Sequence, residues 1–209
     1  MQPRTPATVA PWLIILCPSL GMETHRDVCS FFRERLLQAL AALDVWATEP
    51  IEEYLVNLLS SFTQPERVQE LHTPFVDSLT QAYSTRGFER VSRLRGIGDS
   101  ALFLSGFLSD AMDYRGVTRT YCIAVGQRAY GEAGRQVFDI GPGPDVFLDL
   151  ARRFGAFVRV LDEIREQTSH RTDGELLHLY ERWLVSGSPE LLQRLGRHGV
   201  SVSRNDAEA

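Results

Sequence analysis

The stretch Gly96-Ile97-Gly98-Asp99-Ser100-Ala101-Leu102-Phe103-Leu104-Ser105-Gly106-Phe107-Leu108-Ser109 carries a single charged side chain, Asp99. A helix that is apolar nearly all round is normally buried on every side, so this stretch reads as the central helix of the fold. Small residues (Gly98, Ser100, Ala101, Ser105, Gly106, Ser109) alternate with Leu102, Phe103, Leu104, Phe107 and Leu108. They let a neighbouring backbone approach closely. The expected neighbour is the segment after Thr118, dotted with Ala124, Gly126, Ala129, Gly131, Ala133 and Gly134. Gly96 and Gly98 read as the end of a preceding helix, and Asp99 as the N-cap of the central one.

Helical periodicity continues on both sides of this hairpin, residues 99–137. Phe32, Leu36, Leu40 and Leu43 predict a first helix from about Arg26 to Leu43. Thr48, Pro50 and the acidic Glu49, Glu52 and Glu53 mark the start of a second. Short helices follow over Gln64–Leu71, after Thr73-Pro74 and over Arg86–Arg95. Thr118 is a candidate cap for the small-residue helix. Beyond the Gly141-Pro142-Gly143-Pro144 break, Phe147, Leu150, Phe154, Phe157, Leu161 and Ile164 form the seam of one long helix, about Asp145–Thr168. Thr172-x-x-Glu175 has the form of a capping box, and Ser188-Pro189-Glu190 opens a last short helix. The best strand candidates, residues 137–140 and 200–203, are short. The expected fold is all-α, a single-domain helical bundle of about seven to nine helices over residues 22–198. A polar tail, 199–209, ends the chain. Residues 1–21 read as a poorly ordered extension, with Met22 an alternative start: the apolar run Pro11–Cys17 is too short for a membrane span and lacks a signal-cleavage pattern.

Composition excludes whole classes of chemistry. The chain has no lysine, all 22 basic residues being arginine. That rules out a Schiff-base or pyridoxal-phosphate lysine and the lysine of a phosphate-binding loop. With asparagine confined to Asn57 and Asn205, it points to GC-rich coding and a bacterial source. A net charge of −5 argues against nucleic acid as a partner. Three cysteines without metal-site spacing fit a reducing cytoplasm, with Cys29 and Cys122 as buried, inert thiols.

Several local patterns suggest chemistry and stop short of it. Gly98-Asp99-Ser100-Ala101-Leu102 resembles the nucleophile block of GDSL-type hydrolases. In that family the serine attacks an ester, and a downstream asparagine and a D-x-x-H element complete the site. Here only Asn205 lies downstream, and no D-x-x-H follows. Glu175-x-x-His178 has the spacing of a di-iron helical bundle, but that motif is needed twice and occurs once. Asp145 and Asp149 lie one turn apart, as in helical prenyl-transfer enzymes, without the denser motifs those enzymes carry.

Two functional readings remain. The first is a non-enzymatic interaction or regulatory module that binds a protein partner or a second copy of itself. Its contact surface is an exposed helix face or the arginine stripe Arg86, Arg90, Arg93 and Arg95. The second is a helical pocket for a small apolar ligand or cofactor, lined by Ser105, Tyr114, Tyr121 and Tyr130. No catalytic residue, metal ligand or cofactor is assigned.

Overall fold

The computed structural model describes residues 25–109, 118–138, 146–168, 180–181, 183–184 and 186–197. Among them are nine helices and no strand: α1 His25–Ala42, α2 Glu49–Ser61, α3 Pro65–Glu70, α4 Phe75–Ser84, α5 Gly87–Gly106, α6 Arg119–Phe138, α7 Val146–Arg152, α8 Phe154–Thr168 and α9 Pro189–Arg197. The fold is all-α, as expected. None of these helices is long and apolar enough to cross a membrane. The chain divides into two compact units, Met1–Gln167 and Thr168–Ala209.

In the first unit, α5 and α6 form the most extensive helix pair, flanked by α4 on α5 and α7 on α6, while α1 pairs with α2. Every residue of α5 from Ile97 to Gly106 is buried, which makes it the central helix. Its apolar side chains meet Phe32 and Leu36 of α1, Leu55 and Leu59 of α2, Phe62 at its C-cap, and Phe154 and Phe157 of α8 in one core. Phe103 stacks between Phe62, centroids 4.2 Å apart, and Phe107, at 5.2 Å.

The structure corrects the sequence reading at α5. Gly96 and Gly98 do not end a helix; α5 runs unbroken through both. Two interior glycines cost a helix about 2 kcal/mol relative to alanine. Buried Val91, Leu94, Ile97 and Leu102 each return about 1.5–3 kcal/mol, so tertiary burial wins. Gly98 also has a positive role. A Cβ there would fall 2.5 Å from the Tyr130 ring of α6, so only glycine lets that ring lie against α5. Gly126 does the same from α6, where a Cβ would sit 2.2 Å from the Phe154 ring and 3.0 Å from Ala101 Cβ.

A second difference lies in the long C-terminal helix, which is interrupted at Arg153 between α7 and α8. The seam residues from Leu150 to Ile164 are still buried. Arg153 N–H donates to Asp149 C=O at 2.9 Å, and its own carbonyl accepts from Ala156 N–H at 2.9 Å, restarting the ladder. Its guanidinium donates to the Trp46 carbonyl and lies 5.0 Å over the Phe157 ring, which ties the break to the α1–α2 connection. Thr118 caps α6 as expected, its Oγ1 accepting from Tyr121 N–H at 3.2 Å. Val137 and Phe138, the start of one strand candidate, are the last residues of α6. The 172–175 capping box, the 200–203 strand candidate and the glycine–proline break lie outside the described residues.

In the second unit, Trp183 and Leu195 are buried and packed by Tyr180 and Leu191. The Tyr180 and Trp183 rings lie 5.9 Å apart.

The glycines of α5 and α6 are therefore expected to respond oppositely to alanine. Gly98→Ala and Gly126→Ala should each lose about 1–3 kcal/mol through overpacking. Gly96→Ala, whose Cβ would meet nothing within 4 Å, should gain about 0.5–1 kcal/mol. Urea unfolding of the three variants checks the signs; a stabilised Gly98→Ala would contradict the close Tyr130 approach.

Candidate functional site

Asp99 does not cap a helix. It lies in the interior of α5 with 4% of its surface exposed. A carboxylate in that position needs hydrogen-bond partners, because burying an unpaired charge is prohibitive. Two phenols supply them at Oδ1: Tyr54 of α2 donates a short hydrogen bond, and Tyr130 of α6 donates at 2.8 Å. Oδ2 faces two guanidinium groups at longer range, Arg67 of α3 at 3.5 Å and Arg95, one turn back on α5, at 3.6 Å. Four helices thus converge on one carboxyl group.

Aromatic contacts fix each partner. The Tyr130 ring stacks on Phe147 at 6.0 Å, and the Tyr54 ring meets the Phe147 ring edge-on at 5.7 Å. Arg95 lies over the Tyr54 ring at 5.2 Å and donates from Nε to its hydroxyl at 3.3 Å. Arg67 lies over Phe62 at 5.0 Å and pairs with Glu70.

The electrostatics follow from burial. Loss of solvent raises the Asp99 pKa above the ordinary carboxyl range, while the two phenols and then Arg95 and Arg67 pull it back. Burial, then the Asp99 charge, holds both phenols well above their ordinary pKa. Tyr54 and Tyr130 therefore stay protonated and act as donors to the carboxylate. Neither is a base at neutral pH.

Two clefts open along the outer side of α5. The smaller, about 220 Å³, is lined by Asn57, Ser61, Arg67, Ser92, Arg95 and Asp99, among others. The larger, about 420 Å³, includes Arg67, Ser78, Gln81, Ser92, Arg93 and Ser100. Arg67, Ser92 and Gly96 border both, so the two form one polar trough.

The arginine stripe is divided by this arrangement. Arg93 and Arg95 face the trough, joined by Arg67 from α3. Arg90 turns away, resting 5.0 Å over the Tyr83 ring and pairing with Glu132 of α6 at 3.7 Å. Arg86 is exposed just before α5. Arg93 is held by Glu89 at 2.9 Å and donates to Gln81 at 3.2 Å.

Of the four hydroxyls proposed for an apolar pocket, the three among the described residues do not face one space. Tyr121 and Tyr130 are nine residues apart on α6, a spacing that puts them on opposite faces. Tyr121 is exposed near Phe75, while Tyr130 is buried on Asp99. Ser105 is buried and donates to the Ala101 carbonyl at 2.7 Å, within its own helix. None of the three lines either cleft. Tyr114 lies outside the described residues, as do Asp145 and the Glu175/His178 pair. Asp149 pairs with Arg153 at 3.3 Å. No group of three or more potential metal ligands occurs among the described residues. Cys122 is buried, and burial pushes its thiol up to about 11, well away from a reactive thiolate. Cys29 is half-buried, its thiol 3.4 Å from Ser60 Oγ.

The chain matches no protein-family model, no curated protein and no solved structure.

The raised pKa of Asp99 fixes the sign of its pH dependence. A carboxyl group whose folded pKa exceeds its unfolded one contributes stability below the unfolded value and loses it as pH rises through the folded value. Asp99→Asn should therefore gain on the wild type as pH climbs out of the carboxyl range. Tyr130→Phe, which removes one Oδ1 donor, should destabilise by about 1–3 kcal/mol. Urea unfolding across pH tests both. A wild type that gains on Asp99→Asn with rising pH would mean that the arginines outweigh burial.

Proposed function

We propose that this chain is a non-enzymatic binding module that takes an acidic segment of a protein partner along the trough on α5. The observation that carries the reading is the charge of the trough. Arg67, Arg93 and Arg95 face it, with Glu70 paired to Arg67, Glu89 paired to Arg93 and Asp99 buried beneath Arg95, in a protein whose net charge is −5. Arginine side chains grouped on one surface favour acidic partners. Arginine suits the task because its planar fork meets carboxylates in pairs of hydrogen bonds. The two terminal amino groups of Arg95, which is half-exposed, make no hydrogen bond within the described residues.

The lining also accounts for the non-enzymatic part of the reading. Serine hydroxyls reach the trough, but among the described residues neither histidine nor cysteine lines it. Ser61 already donates to the Leu58 carbonyl at 2.8 Å. The Asp99 carboxylate accepts from Tyr54, Tyr130 and Arg67 and is ion-paired with Arg95, which is the setting of a structural anchor.

Fluorescence anisotropy with a labelled oligo-glutamate peptide tests the reading, with oligo-glutamine as the neutral control. The glutamate peptide should bind selectively and weaken as salt is raised, since exposed charges are screened. Ser92→Glu, which adds a negative charge where the clefts meet, and Arg93→Glu should each weaken binding by about tenfold or more, about 1.4 kcal/mol. Equal binding of the two peptides, or charge reversal without effect, would sink the proposal.

A further inference from the structure

We propose that the deep end of the trough receives a single carboxylate side chain of the partner, clamped between Arg67 and Arg95, and that seating it draws a proton from solvent onto Asp99. This rests on the acidic-segment reading and assigns the chemistry of its innermost contact.

The first support is the unequal treatment of the two Asp99 oxygens. Oδ1 is saturated by two phenol donors. Oδ2, the oxygen that faces the two cleft-lining arginines, has only Arg67 at 3.5 Å and Arg95 at 3.6 Å. Strong guanidinium–carboxylate bonds run about 2.7–2.9 Å, so both arginines hold this oxygen weakly. Arg95 commits only its Nε, which is shared between Asp99 and the Tyr54 hydroxyl. Its terminal amino groups are available to a second carboxylate without leaving the Tyr54 ring.

The second support is size and charge. A space of about 220 Å³ holds several waters, or one short acidic side chain. The charged groups lining it are Arg67, Arg95 and Asp99, a net charge of +1. A guest carboxylate brings one negative charge to two guanidinium groups, whose planar forks suit it. Ser92 and Asn57 stand at the rim as further donors.

Proton uptake follows from these contacts. A guest carboxylate that engages Arg67 and Arg95 weakens the hold on Oδ2 and brings a second negative charge beside it. Two carboxylates sharing one site do not both stay ionised. The groups facing Asp99 are Tyr54 from α2, Arg67 from α3, Arg95 on α5 and Tyr130 from α6, with Glu70 behind Arg67. Both phenols remain donors, so neither takes the proton. Asp99 is the buried member of the pair, and burial already favours its neutral form. Its Oδ2 then takes the proton and donates that hydrogen to the guest carboxylate. No other bond is made or broken.

The probe is N-acetyl-glutamic acid α-amide, which carries one side-chain carboxylate, titrated into the full chain and followed by Arg Nε NMR signals. Affinity should rise as pH falls toward the carboxyl range, by up to tenfold per pH unit if one proton is taken up. Arg95→Met should abolish binding. Asp99→Asn, a neutral stand-in for the protonated acid, should bind at least as tightly with no such pH dependence. Calorimetry of the wild type in buffers of different ionisation enthalpy gives the proton count independently of whether Asp99→Asn folds. Zero uptake as pH falls toward the carboxyl range overturns the coupling, and binding that survives Arg95→Met overturns the clamp. If either result is found while oligo-glutamate still binds the trough, the inference fails and the module reading stands. If oligo-glutamate does not bind either, both fail.

Discussion

A carboxylate inside a helical core must be met by donors or lose its charge, and Asp99 is met from four helices. Tyr54, Arg67, Arg95 and Tyr130 each contribute a polar end attached to an apolar or cationic body that packs on its own account. The carboxyl group therefore does more than survive burial. It sets where α2, α3 and α6 stand relative to α5, because a shift of any one would leave a phenol or guanidinium without its acceptor. Removing one partner of such a network is costly because the rest stay buried.

The close α5–α6 approach makes this geometry possible. Tyr130 reaches Asp99 only because Gly98 leaves room for its ring, and α6 comes near enough only because Gly126 faces Phe154 and Ala101. The small residues of the hairpin thus serve the polar contact as well as the apolar core. At Gly98 and Gly126 the room that a missing side chain provides is filled by aromatic rings, Tyr130 from α6 and Phe154 from α8. Open volume lies on the other side of α5, where Gly96 and Ser92 face Arg67 across the trough.

Much of the fold was legible in the sequence because helical burial is periodic. The uncharged run after Asp99 marked the central helix, the Phe147–Ile164 seam marked the scaffold, and Thr118 was found as a cap. The errors share one cause. Gly96, Gly98 and Asp99 were assigned by local rules, in which glycine pairs break helices and aspartate caps them. Their true partners are distant: Tyr54 and Tyr130 lie 45 and 31 residues from Asp99 along the chain. The break at Arg153 depends on the Trp46 carbonyl, 107 residues away. Tyr54 looked like an ordinary member of an apolar face, and Arg67 belonged to a short helix with no distinguishing pattern. Only the one-turn spacing of Arg95 and Asp99 was a local sign of the site, and it suggests pairing without revealing burial.

The two edges of the Asp99 carboxyl group are held in different ways. Oδ1 carries the structural load, because two phenols that cannot ionise at neutral pH hold it from opposite helices. Oδ2 is spared that load, and its arginines keep bonding capacity toward the trough. A carboxylate gripped equally on both edges would be a closed structural knot with nothing to offer a ligand; one gripped on neither would be expelled or neutralised. The asymmetry arises because phenols approach from inside the core, where α2 and α6 meet α5, while the guanidinium groups arrive along the surface from Arg67 and Arg95. An inner edge fixed by neutral donors and an outer edge met only at 3.5 and 3.6 Å divide the carboxyl group between the core and the arginines.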